Sequence, residues 1–294
     1  MRQELTSFDG GTAIRQRRAS PMAWLLAAPL FAWVVAFVVA PTLIMLVYSL
    51  CERGTLGGVV YHFTWENYAA VADPTYLNIL VRSVVFSLVT TLACLVMGYP
   101  VAFYIGRAPE ARRNLLLMLV MIPFWTSFLI RTYAWVTILK SEGLLNSVLL
   151  QVGMITQPFE MLYTPGAVIL GLVYTFLPFM ILPIYTSVEK LDNALIEAAF
   201  DLGAGPVRAF SKVIVPMTSP GITAGILLVF VPALGLYAVN DILGGGKVDM
   251  IGNIIENQFK GSARNWPFGA ALGMTLVVAF AAALWYTGRR PRTA

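Results

Sequence analysis

Residues 189–216 read EKLDNALIEAAFDLGAGPVRAFSKVIVP and join two long uncharged stretches of the chain. In the first half of this segment, apolar residues recur at three- and four-residue spacing, which predicts a short helix with one apolar face. These residues are Leu191, Leu195, Ala198, Ala199 and Leu202. We expect Gly203 to stop this helix, because glycine adopts a left-handed cap without a Cβ penalty. Pro206 is then well placed as the first residue of a second helix.

The second helix predicted in this segment also has an apolar face, and its cytoplasmic part ends near Pro216. The face comprises Val207, Phe210, Val213 and Ile214. A water-facing loop with such apolar stripes is typical of a surface that docks a partner protein. The segment therefore predicts two short helices around a glycine turn, available to another protein.

The chain as a whole is too apolar for a soluble protein. Of its 294 residues 58% are hydrophobic and 12% are charged, and the mean hydropathy is +0.75, whereas a soluble domain is about 25% charged. Six runs reach the roughly 20 apolar residues that a helix needs to cross a bilayer. They cover residues 22–51, 83–106, 114–139, 161–188, 213–240 and 265–288, and the third contains one charge, Arg131. We therefore predict an all-α membrane protein with six transmembrane helices.

These runs form one transmembrane domain, residues 22–288, between tails of residues 1–21 and 289–294. The first run is about twice as long as the apolar stretch of a secretory signal, so we interpret it as an uncleaved anchor. The fourth and fifth runs each contain three prolines. Proline frees backbone groups that only neighbouring helices or a wet cavity can satisfy, so these two spans are predicted to line a cavity. Residues 143–159 are predicted to form a short helix at the outer interface.

The distribution of charge predicts how the chain lies in the membrane. With the N-terminus inside, the inner segments carry 13 Lys and Arg and the outer segments carry five, which is a clear positive-inside bias. Both termini are therefore assigned to the cytoplasm, and residues 143–159 are not expected to span. The pI near 9.3 then reflects membrane orientation, so no nucleic-acid partner is expected.

The residues present also argue against several kinds of chemistry. The chain has two cysteines, Cys51 and Cys94, and one histidine. These are too few for a disulfide framework or for a His/Cys metal cluster. Residues 244–247 read GGGK, but a phosphate-binding P-loop would also need glycine at 241 and Ser or Thr at 248, where this chain has Asp241 and Val248. The sequence contains no other Walker motif and no constellation of nucleophile, base and metal ligands, so we predict a chain that is not an enzyme.

The segment quoted first carries a family resemblance. It reads EAA at 197–199, G at 203 and VIVP at 213–216. This is similar to the EAA loop of inner-membrane permease subunits of binding-protein-dependent ABC importers, in which Glu-Ala-Ala, three residues, Gly and nine residues precede Ile, any residue and Leu-Pro. Val213 and Val215 are mild departures. The resemblance implies the type I (MetI-like) permease fold and a loop, residues 189–216, that couples to a separate ATPase. The coupling residues that it implies are Glu197, Ala198, Ala199, Gly203, Pro206, Val213 and Pro216.

The chain further resembles the spermidine/putrescine branch of those permeases, as the B-type partner of a two-permease heterodimer. The motifs are TWENY at 64–68, GYP at 98–100, PFWTS at 123–127, YAW at 133–135 and MIGN at 250–253. One departure is Asn240, where the branch usually has proline before the acid. The resemblance implies a bacterial inner-membrane protein that works with a second homologous permease subunit, a periplasmic substrate-binding protein and an ABC ATPase dimer. ATP and Mg would bind to that ATPase, and this chain itself would bind no cofactor.

The resemblance also implies a polyamine substrate, such as putrescine or spermidine, moved inward. Asp241 is either a counter-charge for such a cation or a helix-end residue in water. Aromatic rings in the spans either bind ammonium groups by cation–π contact or serve as packing residues. Arg131 either snorkels or pairs structurally, or it acts at a gate. The candidate residues of the substrate path are Trp125, Arg131, Tyr174, Phe179, Tyr237, Asn240 and Asp241.

Other substrates and another class of protein stay open at this point. Related permeases carry amino acids, opines, phosphonates or ferric ions. An ion-coupled secondary transporter is the alternative class, but such proteins usually contain acidic or histidine relays within the membrane, whereas the charge inside these spans is Arg131. Copurification of an ATPase and a second permease would distinguish an ABC permease from such a carrier.

Overall fold

The computed structural model describes residues 21–55, 57–261 and 264–288. The helices of its first half are α1 (Pro21–Val34), α2 (Ala40–Ser49), α3 (Glu66–Val71), α4 (Pro74–Arg107), α5 (Glu110–Met121), α6 (Phe128–Leu139) and α7 (Leu144–Gln151). A π-helical turn, Val35–Val39, joins α1 to α2, and a 3₁₀ turn, Ile122–Trp125, follows α5. Two strands, β1 (Cys51–Arg53) and β2 (Val59–Phe63), form an antiparallel hairpin that the all-α prediction did not include.

The regular secondary structure of the second half of the described chain consists of helices. Its helices are α8 (Pro165–Glu189), α9 (Asn193–Asp201), α10 (Pro206–Ala209), α11 (Val215–Gly235), α12 (Tyr237–Gly244), α13 (Ile251–Lys260) and α14 (Trp266–Gly288). A π-helical turn, Phe210–Ile214, joins α10 to α11, so the chain is helical without interruption over Pro206–Gly235.

The predicted helical membrane fold is confirmed. Five helices of the described chain are long and apolar enough to cross a membrane, and a sixth candidate is a bent helix pair. The five helices are Ala28–Ser49, Pro74–Arg107, Pro165–Glu189, Pro206–Gly235 and Trp266–Trp285. The pair consists of Glu110–Trp125 and Phe128–Gln151, which meet at 88°.

The third predicted span, residues 114–139, is not one continuous helix in the structure. The 3₁₀ turn begins after Met121, and Pro123 is its second residue. After this turn, Thr126 adopts an extended conformation with ψ 146°. The helices on either side, α5 and α6, contain 12 residues each. At 1.5 Å per residue each is about 18 Å long, which is shorter than the ~30 Å hydrocarbon core.

Two other predicted helix ends are displaced in the structure. The second span starts earlier, at Pro74, because the Asp73 carboxylate accepts a hydrogen bond of 2.8 Å from the backbone N–H of Thr75 and caps the helix. That hydrogen bond also lowers the pKa of Asp73. The fifth span ends at Gly235, since Leu236 leaves the helical conformation with φ −75° and ψ 98°. Residues 237–240, predicted as part of the fifth span, therefore belong to the separate helix α12.

Helix α8 lies at the centre of the bundle, packed against α4 and α11. The approach of α11 is close because it presents glycines: a Cβ on Gly221 would lie 2.4 Å from the Pro183 carbonyl oxygen, and one on Gly225 would lie 2.7 Å from the Met180 sulfur. Glycines four residues apart are a common device for bringing membrane helices together. Of the α8 prolines expected to line a cavity, Pro178 is buried in this core and Pro183 is half-buried.

The remaining elements pack around this centre. Helix α14 contacts α2, α3 and α13, and buries Phe268 and Leu272 beside Ile251. The predicted short helix within residues 143–159 is present as α7, and its Asn146 is fully buried. The Asn146 side chain exchanges two hydrogen bonds of 2.9 Å with the backbone of Phe159, which ties the loop after α7 to this helix.

Candidate functional site

The segment 189–216 forms the predicted helix, glycine turn and helix. The Asp192 carboxylate accepts a hydrogen bond of 3.0 Å from the Ala194 N–H and starts α9. At the end of α9 the chain turns at Gly203, which has φ +80°. The Gly203 N–H donates to the Phe200 carbonyl at 2.9 Å, and the Ala204 N–H donates to the Ala199 carbonyl at 3.0 Å. These two bonds form a Schellman motif, in which glycine is favoured at the left-handed position.

The second helix of the segment starts as predicted. Pro206 follows the N-cap Gly205 as the first residue of α10, where its missing N–H costs no helical hydrogen bond. The candidate residue Val213 is half-buried at the junction with α11, and Pro216 is exposed in the first turn of α11.

The predicted apolar face of α9 is divided between two environments. Leu191 and Ala199 are buried against the rest of the chain. Leu202 is 89% exposed, and Val207 after the turn is 79% exposed. The candidate residues Glu197 and Ala198 are also exposed. One side of the segment therefore anchors it to the bundle, while the turn presents apolar side chains to solvent, where they are available to another protein.

Two arginines of the first inner loop fix the beginning of this segment. The Arg113 guanidinium forms an ion pair of 2.9 Å with Glu189 at the end of α8. The Arg107 guanidinium donates to the side-chain oxygen of Asn193 in α9. The helices meet closely above these contacts, since a Cβ on Gly106 would lie 2.6 Å from Val188. Sequence reasoning missed these pairs, because the residues are more than 70 positions apart and their only signal was their shared assignment to the inner side.

A second group of candidate residues surrounds Arg131. Its guanidinium carbon lies 5.9 Å from the centre of the Phe124 ring and 5.8 Å from that of Tyr174, within the range of cation–π contact. Two further rings enclose the pair: Phe179 lies 5.0 Å from Phe124, and Trp135 lies 5.6 Å from Tyr174. The structure thus brings Arg131, Tyr174 and Phe179 of the candidate path together, and we refer to the four rings as the aromatic cage.

The other candidates of the path lie mainly in α12. Asn240 is buried, and its amide donates to the Val248 carbonyl at 2.6 Å and to the side-chain oxygen of Asn253. Asn253 in turn donates to the Asp241 carboxylate at 2.7 Å. Asn240 therefore fixes α12 to Val248 and to α13, while Asp241 is exposed. Trp125 is 79% exposed in the 3₁₀ turn.

Tyr237 also contacts a cation of the chain itself. The Lys260 ammonium lies 5.3 Å from the centre of the Tyr237 ring and donates a hydrogen bond of 3.4 Å to its hydroxyl. This hydrogen bond, together with the ion pair to Glu256, raises the pKa of Lys260. The two tyrosines of the candidate path, Tyr174 and Tyr237, therefore already contact positively charged side chains of this chain.

Comparison with known proteins assigns the chain to a family of membrane transport components. The chain belongs to the family of binding-protein-dependent transport system inner membrane components, whose model matches residues 98–294. It is 48% identical over 246 residues to the spermidine/putrescine transport system permease protein PotB of Salmonella typhimurium, covering 84% of this chain and 85% of the relative. PotB of Haemophilus influenzae is 44% identical over 265 residues, covering 90% and 92%.

A solved structure shares the fold. A chain of the bacterial alginate ABC transporter, in complex with alginate pentasaccharide-bound periplasmic protein, superimposes with a TM-score of 0.74 at 18% sequence identity, covering 93% of this chain and 96% of that one. The likeness shows that the two chains share a fold. The family match and the two relatives show that the chain is an inner-membrane permease subunit.

Proposed function

We propose that this chain is one of two permease subunits of an ABC importer that moves a polyamine, such as putrescine or spermidine, inward. The observation that carries the proposal is the segment 189–216, in which a Schellman turn presents Leu202 and Val207 to solvent. An apolar surface of this kind is suited to a groove on an ATPase subunit. The names of the relatives that are 44–48% identical support the polyamine substrate.

The partners and orientation follow from the same proposal. An ABC ATPase dimer, which holds the ATP and Mg, docks on residues 189–216 from the cytoplasm. A second homologous permease subunit completes the path, and a periplasmic binding protein delivers the substrate. The excess of Lys and Arg on the inner segments supports cytoplasmic termini, that is, tails 1–21 and 289–294 on the side of the ATPase.

The contacts in the structure suggest how the ATPase could move the path. Closure of the ATPase dimer shifts the segment 189–216 as a rigid body. The Arg113–Glu189 and Arg107–Asn193 contacts transmit this shift to the ends of α4 and α5. Helix α5 leads directly to the break before α6, which provides a hinge for alternating access.

The test is reconstitution of the chain with its ATPase, second permease and binding protein in liposomes. We expect ATP-dependent uptake of labelled putrescine or spermidine, and copurification of the ATPase through this chain. Uptake of an amino acid, opine or phosphonate instead of polyamines would refute the substrate. Uptake by the purified chain alone under an ion gradient would refute the ABC mechanism and favour a secondary transporter.

A further inference from the structure

The aromatic cage lies within the membrane part of the chain. Tyr174 is nine residues from the start of α8, which corresponds to about 14 Å along the helix or roughly half of the ~30 Å hydrocarbon core. Tyr174 is 36% exposed, so this chain does not enclose the residue fully. Sites for transported solutes commonly lie at this depth.

The Arg131 charge is held in the cage without the hydrogen bonds that a buried guanidinium normally makes. Within the described residues, its Nε and Nη1 atoms are buried and have no hydrogen-bond partner. A buried charged donor without an acceptor is unfavourable. The ring contacts offset this only in part, because both distances are close to the ~6 Å limit of cation–π attraction. Arg131 is therefore held weakly in this position.

The cage spans the break in the third membrane segment. Phe124 precedes the break, Arg131 follows it in the first turn of α6, and Tyr174 belongs to α8. Phe124 and Arg131 therefore belong to the two different segments, Glu110–Trp125 and Phe128–Gln151, that meet at 88°. A change of this angle would move Arg131 relative to Phe124 without unfolding of either helix.

From these observations we propose that the aromatic cage is an alkylammonium-binding site, and that Arg131 occupies it as a tethered internal cation until the substrate displaces it. The inference rests on the proposed function and identifies a site for the same substrate. Rings that attract a guanidinium attract an ammonium group by the same electrostatic force. Two cations cannot share the cage, because like charges a few ångströms apart in a low-dielectric site repel strongly. Arg131 therefore weakens substrate binding in the path and promotes release.

The test measures binding of labelled putrescine to the purified complex of both permeases and the ATPase, without the binding protein. The variant Arg131→Met removes the charge and keeps an unbranched side chain, and we expect it to bind putrescine about tenfold more tightly. Arg131→Lys keeps a cation and should bind like the wild type. The matched control is Lys140→Met, which removes an exposed cation just after the same helix and should change nothing.

The rings are tested in the same background. Adding Tyr174→Leu to Arg131→Met should abolish the gain in affinity if the ammonium group sits in the cage. A gain that persists without the ring, or an Arg131→Met complex that binds no more tightly than wild type, would overturn the proposal. If Arg131→Met does not assemble with the ATPase, Arg131→Gln replaces it with the same expectations.

Failure of this inference can be distinguished from failure of the proposed function. A wild-type complex that takes up no polyamine would defeat both. Normal polyamine uptake combined with unchanged affinity in Arg131→Met would defeat the cage alone.

Discussion

Substitution of Gly203 tests the coupling role of the segment 189–216 most directly. Gly203 has φ +80°, and a Cβ placed on it would meet no atom within 4 Å. The effect of Gly203→Val is therefore a backbone effect, with no steric clash in this chain. A left-handed conformation costs a non-glycine residue about 1–2 kcal/mol, and the upper end applies to a β-branched residue. Since every ~1.4 kcal/mol is a factor of ten, the equilibrium constant for forming the correct turn should fall roughly 30-fold.

The assay compares ATP hydrolysis and polyamine uptake in the reconstituted complex. For Gly203→Val we expect uptake to fall by about 10- to 30-fold, with ATP hydrolysis falling less, because the turn no longer seats correctly on the ATPase. Gly203→Asn should retain most of the uptake, since asparagine tolerates the left-handed region.

The chain offers a matched control two residues later. Gly205 also has open space around its Cβ position, but its φ is −72° in an extended conformation. Gly205→Thr adds the same β-branched bulk without backbone strain, and threonine suits the N-cap position, so uptake should stay near normal. Normal uptake by a stable Gly203→Val complex would refute the reasoning. Equal loss in Gly205→Thr would show that bulk on this surface, and not the turn, is responsible.

Three further predictions concern other parts of the chain. Arg113→Glu or Glu189→Arg should each lower coupled uptake several-fold. The partly exposed ion pair is worth up to about 1 kcal/mol, and reversing one of the two charges replaces attraction by repulsion. The double variant restores opposite charges and should recover uptake; no recovery would reject the pairing. Asp241→Asn keeps the acceptor for Asn253 but removes a charge, so uptake of a cationic substrate should fall about three- to tenfold at unchanged expression; unchanged kinetics would remove Asp241 from the path. Gly221→Ala should destabilise the purified complex by about 1–3 kcal/mol through overpacking between α8 and α11, whereas Gly235→Ala, with nothing near its Cβ position, should leave the thermal midpoint unchanged.

Features that depend on local sequence were predicted correctly. The apolar runs located the membrane helices because the bilayer imposes a length of about 20 apolar residues. The turn at Gly203 and the start of α10 at Pro206 followed from the conformational limits of glycine and proline. The apolar pattern of α9 did not predict that Ala199 is buried and Leu202 is exposed. Burial of these residues depends on how α9 is oriented relative to the helix bundle.

Features that depend on distant contacts were not predicted. Pro178 and Pro183 lie within the continuous helix α8, whereas Pro123 accompanies a break, so proline alone does not determine where a membrane helix is interrupted. The neighbouring helices that satisfy the freed backbone groups decide this. The pairing of Arg131 with Tyr174 and of Lys260 with Tyr237 likewise arises from residues that are far apart in sequence. Candidate ammonium-binding rings could be listed from the sequence, but the cations that already contact them could not.

The break between α5 and α6 has a consequence for how the protein is made. Neither helix is long enough to cross the hydrocarbon core by itself, and α6 carries the Arg131 charge. The partners that shield this charge include Tyr174 in α8, which the ribosome synthesises about 40 residues later. We therefore expect α5 and α6 to stay in contact with the translocation machinery until α8 has been synthesised. The three helices would then enter the lipid together. Nascent chains truncated before α8 should leave residues 110–139 accessible to modification from the aqueous side.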